Sequence, residues 1–131
     1  MKNTKASVLV ALALLVSPVS LFAHHGTAGT YDQTKVVKVS GVVKQFLWRN
    51  PHCILLLTGK DAAGKEVTYS FEIGSPGSLV GRGFSRDSFK VGDSVALDMH
   101  PAFGNPAVGQ PATRTFVING KPVTGVAGGD E

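Results

Sequence analysis

A chain of 131 residues with 43% hydrophobic and 17% charged side chains is long enough for one core and too short for two. A mean hydropathy of +0.13 excludes general disorder, and 16 Gly with 7 Pro favour short strands over long helices. The formal charge of +4 is scattered and forms no basic stripe, so nucleic acid is not an expected partner.

Lys2 and Lys5 precede a largely apolar run from Ala6 to Val16, which Ser17-Pro18 interrupts, and Leu21-Phe22-Ala23 ends on a small residue. A basic start, an apolar stretch and a small-residue exit describe a secretory signal peptide over residues 1–23. The run is shorter than the roughly 20 apolar residues of a spanning helix, so no stable membrane insertion is expected after cleavage. The expected location is periplasmic or secreted. Cleavage after Ala23 leaves His24 first, with 11 basic against 9 acidic residues, a net charge of +2. Residues 24–34 then read as an N-terminal arm, 35–124 as the folded domain and 125–131 as a flexible tail.

From Lys35 to Trp48 the chain is strand-like: Val37, Val39, Val43 and Leu47 share one parity, Lys38, Ser40 and Lys44 the other. Gly41 marks a bulge or a sharp coil in this long strand. If the alternation survives Gly41, Phe46 and Trp48 face outward; if it slips, both rings enter the core, which is the favoured use. Arg49-Asn50-Pro51 reads as a turn, and His52 to Thr58 as a buried second strand. Cys53, the sole cysteine, lies in this apolar run, which points to an unreactive buried thiol.

A polar loop from Gly59 to Lys65 leads to the third strand, where Val67, Tyr69, Phe71 and Ile73 alternate with Glu66, Thr68, Ser70 and Glu72. Ser75-Pro76 is a helix start, a capping residue before a first-turn proline, and two glycines keep that helix short. Strand four carries Val95, Leu97 and Met99 on one face, Asp98 and His100 on the other. Pro101 to Pro111 reads as a long loop, Arg114 to Ile118 as strand five, Asn119-Gly120 as a tight turn and Val123 as a brief return. Three strands, a short helix and two strands predict an all-β fold, a small five-stranded OB-like barrel with the helix between strands three and four. An open sandwich is the rival architecture.

His24-His25-Gly26, Tyr31-Asp32, Ser40-Gly41-Val42-Val43, Trp48-Arg49-Asn50-Pro51-His52, Asp61 to Lys65, Glu72 to Pro76, Gly83 to Ser88 and Val91-Gly92-Asp93 occur in this order. Together they resemble a family of small exported bacterial proteins described as a domain of unknown function, DUF6152. The resemblance implies export and a shared fold and brings no activity with it. The chain departs from that pattern at Tyr69 and Phe84, where tryptophan is expected, and in the loop from Pro101 to Thr113.

The chemistry concentrates in histidine. A processed N-terminal His24 offers an amine and an imidazole that chelate one metal, an arrangement resembling the histidine brace of exported copper proteins. Cleavage one residue earlier would make His25 the third residue, and amine, amides and imidazole would then suit square-planar copper(II) or nickel(II). In a barrel of this topology the loops after strands one and four flank the usual ligand face, which would place His52 and His100 near it. His24, His25, His52 and His100 are therefore the expected metal ligands, with copper or another divalent ion as the cofactor. The competing account is a hydrated arm, a strand-capping His52 and a surface His100. Neighbouring strand residues point to opposite faces, so Cys53 and Met99 are left out of the site.

A second function class is a non-metal interaction module that recognises a sugar or a partner protein. It would use Trp48, Asn50 and the 101–111 loop. Enzymatic activity is not expected. Glu72 and Asp98 offer no acid–base rationale, and no serine has a nucleophile-elbow context.

Overall fold

The computed structural model of the protein describes residues 29–125. Seven strands and one short helix follow in order: β1 (Val37–Leu47), β2 (Cys53–Lys60), β3 (Glu66–Ile73), α1 (Pro76–Val80), β4 (Ser94–Ala102), β5 (Asn105–Pro111), β6 (Thr115–Ile118) and β7 (Lys121–Thr124). Five of them close a barrel in the order β1-β2-β3-β5-β4, with β4 returning to β1. The β3–β5 seam is parallel and the other four barrel pairings are antiparallel.

Closure depends on the length of β1. Its N-terminal half pairs with β4 from Val37–Met99 to Val42–Ser94, and its C-terminal half pairs with β2 from Gly41–Gly59 to Leu47–Ile54. Gly41 belongs to both ladders. A Cβ there would lie 2.5 Å from the Thr58 carbonyl oxygen, so this crossing needs a residue without a side chain. The bulge itself falls two residues later, between Val43 and Gln45. One extra residue inverts the parity, which turns Phe46 and Trp48 against the core.

The β2–β3 hairpin is closed by Asp61, whose Oδ1 accepts from the backbone N–H groups of Ala63 and Lys65, both at 2.9 Å. Ser75 caps α1, its hydroxyl accepting from Ser78 N–H at 3.2 Å, and Pro76 opens the helix. Leu79 then enters the core with Leu55, Leu57, Phe71, Ile73, Val95 and Phe116, all fully buried. Each such side chain stabilises the fold by about 1.5–3 kcal/mol.

The segment from Pro101 to Pro111 corrects the expected loop. β4 runs on to Ala102, the chain reverses at Phe103-Gly104, and β5 returns as the fifth barrel strand. The expected fifth strand is instead β6, which with β7 forms a hairpin attached to the first half of β4 through Val95–Ile118 and Ala96–Val117. Proline normally argues against a ladder, but here the Met99–Pro111 and Pro101–Gly109 pairs alternate with His100–Gln110. The missing proline N–H groups thus fall out of step with the bonded pair between them. Asn119 and Gly120, with φ of 50° and 78°, make the expected tight turn of β6–β7.

Candidate functional site

His52 stands just before β2, on the outer face of the barrel. The β2–β3 register pairs Ile54 with Glu72, so His52 is diagonal to Glu72, within reach of a long side chain. His52 Nδ1 meets Glu72 Oε1 in an ion-pair contact, while the other oxygen of the same carboxylate accepts a hydrogen bond from the Tyr31 hydroxyl at 2.9 Å. One carboxylate thereby holds an imidazole and a phenol.

Tyr31 comes from the arm. The chain turns at Asp32, whose carboxylate accepts from the Thr34 hydroxyl and pairs with Lys35 Nζ at 3.2 Å. The arm keeps the direction of β1 and extends its antiparallel pairing with β4: Tyr31 bridges Ala102, and Asp32 N–H donates to the Pro101 carbonyl at 2.8 Å. Phe103 N–H donates to the Thr30 carbonyl at 3.1 Å. With its backbone beside β4 and its hydroxyl on the Glu72 carboxylate of β3, the Tyr31 side chain links two strands that are not neighbours in the sheet, and it is only 5% exposed. Burial, followed by the hydrogen bond to Glu72 and its charge, raises the Tyr31 phenol well above its usual range.

His100 lies on the outer face of β4 opposite Gln110, which is buried and sits one position past the Phe71–Gly109 pair on β5. Its Nδ1 is 2.7 Å from the Lys35 carbonyl oxygen. A carbonyl only accepts, so Nδ1 donates this bond, and in a neutral ring the lone pair is then on Nε2. The same reasoning applies to His52 against its carboxylate. Both described histidines are therefore oriented alike, with Nδ1 tied inward to a fixed acceptor.

The structure does not bring the two together. Strands β3 and β5 lie between them on that side of the barrel, roughly 14 Å in three strand steps. Among the described residues no three His, Cys, Asp or Glu side chains gather as a metal site requires. His24 and His25 lie outside the described residues, as does the expected signal peptide.

Trp48 is half-buried and packs edge-on against Phe46, with centroids 5.8 Å apart. Phe46 leads inward to Phe89 at 5.1 Å, and Phe89 to Phe116 at 5.3 Å. This aromatic row is an entry to the core rather than an open platform. Asn50 is exposed and precedes a cis peptide bond to Pro51. Cys53 is buried on the face opposite His52, with its thiol 3.9 Å from the Arg49 carbonyl, and burial raises its pKa. Asp98 is engaged elsewhere, with Lys38 at 3.2 Å.

Two members of the cluster, Glu72 and Tyr31, escape a reading by motif. The signal for Glu72 lies in the hairpin register, because the five-residue loop from Asp61 to Lys65 sets which outer residue of β3 faces His52. No local signal marks Tyr31, whose partner is 41 residues away.

Fold and site together define a small closed β-barrel with its N-terminal arm clasped to an outer-face carboxylate. The chain belongs to the DUF6152 family, a family of unknown function, whose model matches residues 12–110. The match ends within β5, so it covers all five barrel strands and leaves the β6–β7 hairpin beyond it. No curated protein and no solved structure matches the chain.

Proposed function

We propose that the protein is an exported binding module for copper or a similar divalent ion, held through histidines that include the processed N-terminus. The observation that carries this reading is the contact of His52 Nδ1 with Glu72, which in a neutral ring leaves Nε2 as the coordinating nitrogen. Metal-binding histidines are characteristically held in this way by a carboxylate or carbonyl acceptor. His100, tied to the Lys35 carbonyl, has the same preparation but stands apart. The ligand set would be the amine and imidazole of His24, with His25, and the Nε2 of His52 or, separately, of His100. Signal cleavage and a periplasmic or secreted location are parts of the same proposal, and binding rather than catalysis is the proposed role.

The test is copper(II) titration of the correctly processed exported protein. A nitrogen-rich spectrum that is lost in His24→Ala supports the reading, and an unchanged spectrum in that variant removes the N-terminal anchor. One observation favours a second reading. Phe103, at the tip of the β4–β5 hairpin, is 60% exposed, a large apolar side chain suited to docking a partner protein. That reading predicts loss of partner binding in Phe103→Ser with an unchanged melting temperature.

A further inference from the structure

The β6–β7 hairpin is held on β4 by two residue pairs, and its turn carries a further attachment. Asn119 N–H donates to the Ser94 carbonyl at 2.8 Å. The Asn119 side chain is bound at both ends: Oδ1 accepts from Ser94 N–H and Nδ2 donates to Asp93 Oδ1, each at 2.9 Å. Lys90 N–H donates to the other Asp93 oxygen at 2.9 Å. The Asn119 hydrogen bond, followed by that from Lys90, holds the Asp93 carboxyl below its usual range, so the group is ionised at neutral pH. The same hairpin carries Phe116 into the core, fully buried and 5.3 Å from Phe89.

This clamp is built on a reactive dipeptide. Asn119 and Gly120 are exposed, and Gly120 has no side chain to shield its nitrogen. That nitrogen can attack the Asn119 side-chain carbon: the N–Cγ bond forms, the Cγ–Nδ2 bond breaks, and the displaced proton leaves with Nδ2 as ammonia. Water then opens the cyclic imide at either carbonyl, giving aspartate or isoaspartate without any change of oxidation state. Asn50 and Asn105, the other asparagines of the described residues, precede prolines and have no following N–H for this reaction. Attack requires the carboxamide to leave Asp93 and Ser94, so the docked hairpin opposes it.

We propose that Asn119 is a deamidation site guarded by docking of the β6–β7 hairpin, and that its conversion releases the hairpin irreversibly. Aspartate at this position sets an acceptor against the Asp93 carboxylate where a donor stood, and the two like charges repel. Isoaspartate also lengthens the main chain by one carbon inside a two-residue turn, which the Ile118–Lys121 pair does not accommodate. Release frees the β4 edge at Val95 and Ala96 and withdraws Phe116 from the core. The inference is independent of the metal reading.

The guarding role is tested by the rate of conversion at Asn119, read by peptide mass spectrometry in isotope-labelled water at one mildly alkaline pH. The folded protein should convert about 10-fold more slowly than the same protein unfolded in urea, the scale of one hydrogen bond to a charged group. Equal rates overturn the guarding role. Folded Asp93→Ala should convert about 10-fold faster than the unaltered protein, and an unchanged rate removes the clamp as the guard. If Asp93→Ala fails to fold, the comparison in urea decides alone. Release is tested by amide hydrogen exchange in Asn119→Asp, which should quicken over residues 115–124 and leave β2 unchanged. Unchanged exchange in the hairpin, or an equal rise in β2, overturns release. The double variant Asp93→Asn/Asn119→Asp exchanges donor and acceptor and should restore the slow exchange, since an amide at 93 can still accept from Lys90 N–H. Failure to restore it would show that the two carboxylates are not the cause. If Asn119→Asp fails to fold, the converted fraction of the unaltered protein, separated by ion exchange, takes its place.

Discussion

Tyr31 illustrates how one side chain can attach an otherwise local segment to the fold. Its hydroxyl donates to a carboxylate, a bond worth about 1.5–3 kcal/mol when one partner is charged. Because the folded-state pKa is raised above its ordinary 10.0, the neutral phenol favours the native state. That stability is fully present below the unfolded-state value and lost as pH rises through and above it. Urea unfolding of the unaltered protein should therefore show stability falling above about pH 10, with a shallower fall in Tyr31→Phe. An equal slope in both would assign the loss to other groups. Cys53 gives a second residue-level expectation: a buried thiol with a raised pKa should resist thiol reagents in the native protein and react fully once urea unfolds it. Rapid labelling of the native protein would contradict the burial.

Among the elements, β1 carries the closure. Gly41 faces Gly59 in one ladder and Val95 in the other, and a methyl group at Gly41 would strike the Thr58 backbone. Gly41→Ala should destabilise by about 2 kcal/mol, the scale of overpacking, or roughly 10 °C in Tm for a domain of this size. A melting temperature within 2–3 °C of the unaltered protein, by about the same conversion, would show that the crossing relaxes. The helix start at Ser75-Pro76 and the alternation of β3 are legible in the sequence because each depends on neighbours a few residues apart. The bulge between Val43 and Gln45 is not. Its position is set by where β1 leaves β4 and follows β2, a matter of contacts with two distant strands. The prolines of β5 conceal a strand for a related reason: their tolerance depends on which ladder positions are bonded.

For the whole molecule, the weak line is the seam. β3 and β5 share two residue pairs, Ser70–Val108 and Phe71–Gly109, against eight between β2 and β3. Local opening starts where ladders are shortest, so amide hydrogens of β5 should exchange well before those of β2. Equal protection would mean that the barrel opens only as a unit.

Alternation, capping and turn residues determine by themselves that the described residues form an all-β domain with one short helix, since those signals arise from local sterics and hydrogen bonding. The identity of the fifth barrel strand, the inward turn of Phe46 and Trp48, and the meeting of Tyr31, Glu72 and His52 were decided only by the tertiary structure. Each requires segments remote in the chain to share one register, and closure of the barrel supplies that register.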